Sequence, residues 1–171
     1  EVYALAVFKN PATGELRLAC GTGGYKCGDV RIYDPVAGGD ALLVLDIGSE
    51  VKALAVFKEP ATSAPRLACG SEDKKVRVFD AVSGGDALLV LDVGAGMRAL
   101  VAFKDLATGT LRLASGSGDI KLRVFDPVTG GEALVVLEGH TGDVDALTAF
   151  TDPATGEPRL VSGSSDVRVW N

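Results

Sequence analysis

His140, Ser162 and Asp166 are the residue types of a hydrolase triad, and they stand close together near the end of the chain. A histidine placed between a hydroxyl and a carboxylate can take the serine proton while the carboxylate orients the ring. The surrounding sequence points to another use. No nucleophile elbow and no segment of paired backbone donors for an oxyanion accompanies Ser162. His140 is the single histidine of the chain, which rules out multi-histidine metal sites. The run GTGGYKCG from Gly21 has the glycines of a phosphate loop but not the spacing of either common form, so it reads as a hairpin turn. The Asp and Gly of DPATG and DPVTGG are turn residues before they are calcium ligands. Paired carboxylates for acid–base work are absent. The expectation is a non-enzyme without cofactor or metal.

The bulk numbers narrow the class. The chain has 171 residues, a net charge of −6, 47% hydrophobic residues and only 6% aromatics, so its core is built mainly from Val, Leu and Ala. A general phosphate-backbone binder needs a basic surface, which argues against nucleic acid as a partner. No apolar run reaches the eighteen or so residues of a membrane-spanning helix. The first residues, EVYALAVFKNPATG, lack the basic start and cleavage site of a signal peptide and match later segments of the chain. Cys20 and Cys69 occupy one repeated position, held later by Ser115 and Ser162, and are expected to be small buried strand residues. Cys27 lies in a segment without counterpart. Three cysteines with neither a disulfide framework nor paired CxxC spacing suit a reducing, cytoplasmic interior.

The elements that position these residues come from repetition. VYALAVFKNPATGELRLACG begins at Val2, and near copies begin at Val51, Met97 and Val144, at spacings of 49, 46 and 47 residues. A fixed period in this range marks stacked units that cannot bury their apolar surface alone. Within residues 51–96, VKALAVF, RLACGS, VRVFD and ALLVLDVG read as four short strands, broken by EPATSAP, EDK and AVSGG. Strands apolar on both sides of the pleat need cover on both faces, and four-stranded blades stacked around an axis supply it. The fold class is therefore all-β, a β-propeller of four blades in a single repeat domain, residues 1–171. Blade boundaries fall at about 1–50, 51–96, 97–143 and 144–171.

The segment LVVLEGHTGDVDALTAF, followed by RLVSGSSDVRVWN, resembles a WD40 repeat. It has Gly139-His140 before the inner strand, the small-residue turn SGSSD, and Trp170 ending the third strand. The other copies are degenerate, with Tyr33, Phe79 and Phe125 in place of Trp170 and only the glycines of DIGSE and DVGAG in place of His140. The resemblance implies a structural hydrogen-bond tetrad of His140, Ser162, Asp166 and Trp170, in the last copy alone. Its turn is short: Asp166 precedes Trp170 by four residues, whereas Asp73 and Asp119 precede their aromatics by six. Asp166 is thus expected to miss its place. The first copy has a longer turn, GTGGYKCGD, and its residues Tyr25 and Lys26 are candidates for a binding loop.

The last copy lacks an outer strand, which is expected to leave an open edge at Val167, Arg168, Val169 and Trp170. The chain reads as part of something larger: a fragment of a longer propeller, an engineered half-ring, or one member of an assembly. Inner and outer strands of similar side-chain size suit a narrow wedge, and two chains would then make an eight-blade homodimer. Closure of four blades within one chain is the lesser alternative. In blades of this kind, the loops before the inner strand and the turns between the second and third strands share one face. Those segments vary most here, and they put Tyr25, Lys26, Glu50, Lys52, Lys74, Arg98 and Asp145 forward as partner-binding residues. The resemblance implies a non-catalytic scaffold for a protein or peptide partner. The alternative is a structural half-propeller whose main property is self-assembly. A small-ligand or enzyme propeller would need convergent polar groups that these Ala-, Val- and Leu-rich inner strands do not supply.

Overall fold

The computed structural model describes residues 1–25, 27–105 and 108–171. Lys26 therefore lies outside the described residues. Among the described residues, fifteen strands form four antiparallel meanders. Blade 1 holds β1 (Val2–Lys9), β2 (Leu16–Thr22), β3 (Asp29–Tyr33) and β4 (Leu43–Asp46). Blade 2 holds β5 (Val51–Lys58), β6 (Pro65–Ser71), β7 (Lys75–Asp80) and β8 (Gly84–Asp92). Blade 3 holds β9 (Met97–Lys104), β10 (Leu111–Ser117), β11 (Leu122–Phe125) and β12 (Val135–Leu137). Blade 4 has only β13 (Ala146–Thr151), β14 (Pro158–Gly163) and β15 (Val167–Trp170), so β15 is an edge.

The turns follow from local chemistry. Between the first two strands of each blade, the Asn, Glu or Asp just after the first strand is followed four positions on by a residue with left-handed backbone. That residue is Gly14 in blade 1, Gly109 in blade 3 and Gly156 in blade 4, with φ of 74°, 69° and 75°. Blade 2 has Ser63 there, at φ 60°, a conformation in which a Cβ costs energy.

The apolar residues form three cores, and each lies between two blades rather than inside one. Phe8, Ala19, Val30, Ile32 and Leu45 of blade 1 meet Val51, Leu67, Cys69 and Phe79 of blade 2. Ala55, Phe57, Val76, Val78 and Leu91 of blade 2 meet Met97, Leu100, Leu113 and Phe125 of blade 3. Ala114, Leu122 and Val124 of blade 3 meet Val144 and Leu160, with Trp170 packed against them. Alternation explains this: one pleat face of each strand points to the preceding blade and the other to the following one. The inner strands β1, β5, β9 and β13 pack in that order.

The outer faces of the first and last blades have no such cover. Val2, Leu5 and Val7 on blade 1 and Phe150, Val167 and Val169 on blade 4 are exposed. The four blades form an open arc, a half-propeller, and the four-blade closure weighed above does not occur. One expectation about the cysteines is corrected for the same reason. Cys69 is fully buried, but Cys20, at the equivalent position, is only half-buried because no blade of this chain packs on that face.

Candidate binding face and its hydrogen-bonded turns

The inner strand of blades 1 to 3 carries one extra residue near its start. Val2 pairs with Thr22 and Ala4 with Gly21; Val51 pairs with Ser71 and Ala53 with Gly70; Met97 pairs with Ser117 and Ala99 with Gly116. Tyr3, Lys52 and Arg98 are therefore bulge residues, and a bulge re-aims the side chain it inserts. Asp145 holds the corresponding place in blade 4, its N–H donating to Gly163 O at 3.0 Å.

The hairpin between the second and third strands of each blade sits beside this bulge. Gly23 N–H donates to Glu1 O, Glu72 N–H to Glu50 O, and Gly118 N–H to Gly96 O, all at 3.0 Å. One end of the arc thus gathers the bulge residues and the hairpins. Lys52 Nζ lies 2.5 Å from Glu50 Oε2 and 3.6 Å from the centroid of the Tyr3 ring. The Tyr3 hydroxyl donates to Glu1 Oε2 at 2.6 Å, and this bond to a carboxylate pushes the phenol up to about 12. Arg98 reaches across a seam to Asp143 Oδ2 at 3.3 Å. Tyr25 is 89% exposed at the tip of the first hairpin, which Gly24 and Cys27 close by a backbone bridge. Lys74 is exposed in the second hairpin, at φ 70°.

The structure draws His140, Ser162, Asp166 and Trp170 into one hydrogen-bonded chain. The indole N–H of Trp170 donates to Ser162 Oγ at 2.8 Å. Ser162 Oγ lies 2.6 Å from His140 Nε2, and His140 Nδ1 contacts the Asp166 carboxylate. Asp166 also accepts from Arg168 Nε at 2.7 Å. His140 first, and Arg168 second, hold the Asp166 carboxyl below the usual carboxylate range. The expected displacement of Asp166 does not occur. The turn is shorter only after the aspartate: Asp166 lies four positions beyond Ser162, as Asp73 does beyond Cys69 and Asp119 beyond Ser115. Ser162 is fully buried, so its hydroxyl is closed to any substrate. The arrangement ties the seam between blades 3 and 4 rather than forming a reaction centre.

Blades 2 and 3 knot the same turn differently. Arg77 Nη1 donates to Ser71 Oγ at 3.0 Å and Arg77 Nη2 to Asp73 Oδ2 at 2.6 Å, while Ser71 Oγ donates to Asp73 Oδ1 at 2.6 Å. Arg123, Ser117 and Asp119 repeat the pattern at 3.1, 2.5 and 2.8 Å. In blade 1, Arg31 pairs with Asp29, whose carboxylate also takes the Thr22 hydroxyl. The sequence reading missed these arginines and Tyr3. Both were legible: an Arg stands two residues before the aromatic in VRIY, VRVF, LRVF and VRVW, and Tyr3 follows Val2 as Lys52 follows Val51. In blade 4 the Asp turns to His140, and Ser164 Oγ, where Ser71 and Ser117 stand in their blades, is buried with no hydrogen-bond partner.

Blades packed face to face around inner strands, with loops gathered at one end, define a β-propeller architecture. No family model matches the chain, and no curated protein matches it in sequence. Solved structures do. The crystal structure of Saccharomyces cerevisiae Sqt1 superposes with a TM-score of 0.74 at 13% identity, covering 99% of this chain and 46% of Sqt1. BBS1N, solved in complex with ARL6DN, superposes with a TM-score of 0.72 at 17% identity, covering 99% of this chain and 49% of its own. The fold is that of a WD40-like β-propeller. The chain spans about half the length of each of these neighbours.

Proposed function

We propose that the chain is a non-catalytic scaffold whose loop end binds a protein or peptide partner. The observation that carries this reading is the bulge. It sets Tyr3, Lys52 and Arg98 in a row at one end of the arc, beside the hairpins of Tyr25 and Lys74. Both cations of that row are paired with carboxylates, Lys52 with Glu50 and Arg98 with Asp143. A row of alternating sign suits a partner surface of mixed charge better than a phosphate backbone, because each partner group can replace one already satisfied. The BBS1N neighbour was crystallised with ARL6DN, which supports protein binding as a use of this fold. Among the described residues the triad-like group of His140, Ser162 and Asp166 is tied into a seam, which supports a non-catalytic reading.

The test is charge reversal on this end alone. Proteins retained by the immobilised chain from its native extract are compared with those retained by the Lys52→Glu, Arg98→Glu double variant and by Thr13→Lys at the opposite turns. The reading expects a partner lost by the double variant and kept by Thr13→Lys. A partner kept by both removes the loop end from consideration.

A further inference from the structure

The three seams are closed by one repeated lock. A methyl group placed on Gly21 would lie 2.7 Å from Val51 Cγ1, one on Gly70 3.0 Å from Met97 Cε, and one on Gly116 2.8 Å from Val144 Cγ1. Those separations are well inside the carbon–carbon contact distance of roughly 3.5–4 Å. A glycine leaves room there for the residue that opens the next blade, most strictly at Gly21 and Gly116, where the crowded neighbour is a valine. Val51, Met97 and Val144 are all 0% exposed as a result.

The chain carries a fourth knob and a fourth hole, at opposite ends of the arc, and both are open. Val2 is 60% exposed. Gly163 follows Ser162 as Gly116 follows Ser115, and a methyl group on it meets nothing nearer than its own blade's Ala146 Cβ at 3.4 Å. The surfaces around them match in the same way. Leu5, Val7, Cys20 and Tyr33 on blade 1 stand where Leu54, Val56, Cys69 and Phe79 of blade 2 face its predecessor. Part of this face is an open groove of about 840 Å³, lined by Val2, Cys20, Tyr33 and Val44 among others. Phe150 and Val169 on blade 4 stand where Phe57 and Val78 of blade 2 face its successor.

We propose that the blade 1 face of one copy seats on the blade 4 face of a second copy, with Val2 against Gly163. Two copies then close an eight-blade ring through two identical seams. A second copy is the occupant because each chain already carries both halves of the lock, on different faces, as head-to-tail pairing requires. The chain also spans about half the length of the propellers it superposes on. The inference does not rest on what the loop end binds, since the seam faces and the loop end share no residue in its test.

Mass in solution by sedimentation and light scattering reads the outcome directly. The expected value is twice 17.6 kDa, falling to one chain on dilution. Val2→Asp and Gly163→Val alter positions that are open in the single chain, so each variant should keep the folded circular-dichroism signal. Each should weaken dimerisation by at least about a hundredfold, since both seams lose an apolar contact or bury a charge. An equimolar mixture of the two variants restores one intact seam, and is expected to recover dimer that neither forms alone. A second readout is the half-buried Cys20 thiol, whose alkylation should slow as the chain is concentrated. A chain of 17.6 kDa at high concentration overturns the proposal and assigns the open faces to other blades. So does a mass that grows beyond two chains, or a dimer indifferent to both substitutions.

Discussion

The rings of His140 and Trp170 stand edge to face, 6.0 Å apart at 67°, and converge on a single oxygen, Ser162 Oγ. Ser162 Oγ accepts the indole N–H, and the Asp166 carboxylate, which can only accept, requires the proton on His140 Nδ1. That assigns the Nδ1–H tautomer, which donates to Asp166. Along this path, which runs from the half-exposed Asp166 through the buried His140 and Ser162 to Trp170, each polar side-chain atom has a partner.

Ser162→Ala breaks that order in the middle. It leaves the Trp170 N–H and His140 Nε2 buried without the partner they share, at a cost of about 1–3 kcal/mol in unfolding free energy. Urea denaturation measures it. The corresponding change at Ser115, which makes a single 3.3 Å bond to the Arg123 carbonyl, should cost less. Equal losses at the two sites would show that the chain of bonds adds nothing.

Acid should loosen the turns. Arg31 holds the Asp29 carboxyl below its ordinary range, Arg123 does so for Asp119, and His140 for Asp166. A carboxyl depressed in the folded state binds fewer protons there than when unfolded, so stability rises with pH across that interval. Its contribution is complete above the unfolded value of about 3.9 and is lost as pH falls through the folded values. The melting temperature should therefore decline below about pH 4, and Asp119→Asn should flatten that decline. A variant with the same acid slope as the parent would place the sensitivity elsewhere.

Ser63→Gly should stabilise the chain. Ser63 holds a left-handed backbone where blades 1, 3 and 4 place glycine, and nothing in the described hydrogen bonds compensates at its side chain. The gain is modest, about 0.5 kcal/mol, because glycine also widens the unfolded ensemble. Thermal melts compared at equal concentration decide it; a loss of stability would mean the serine side chain matters after all.

Gly116→Val and Gly163→Val make the same chemical change at equivalent positions with opposite expectations for folding. At Gly116 the added carbon falls 2.7 Å from the Val144 carbonyl oxygen, and a backbone atom cannot swing aside. Overpacking of this kind costs about 1–3 kcal/mol. At Gly163 the space is open, and the isolated chain should keep its unfolding midpoint when measured at a dilution where only single chains are present.

The blade plan was readable because period-2 alternation and the Gly, Pro and Asp breakers are local signals, and they recur four times. Lys52, Arg98 and Asp145 vary between copies, and the structure sets them at equivalent places, the first two as bulge residues. The bulge itself is not readable, since it is a relation between two strands and shows only in the pairing of Val51 and Ala53 with Ser71 and Gly70. The place of Asp166 is set by its distance from Ser162, which matches the other blades, and not by its distance to Trp170, which the shortened turn alters. Cys20 was misjudged because repeat equivalence says what faces a neighbour, and blade 1 has none within the chain.

The glycine at the end of each second strand has a consequence for how such a chain can change. Every seam has a glycine keyhole and an apolar key, Val51, Met97 or Val144, so a duplicated or deleted unit meets a neighbour of the same design on either side. Gain and loss of whole units is then nearly neutral for local packing. What limits the number is the angle each unit turns through, which decides whether a lengthened or shortened arc can still meet its own beginning.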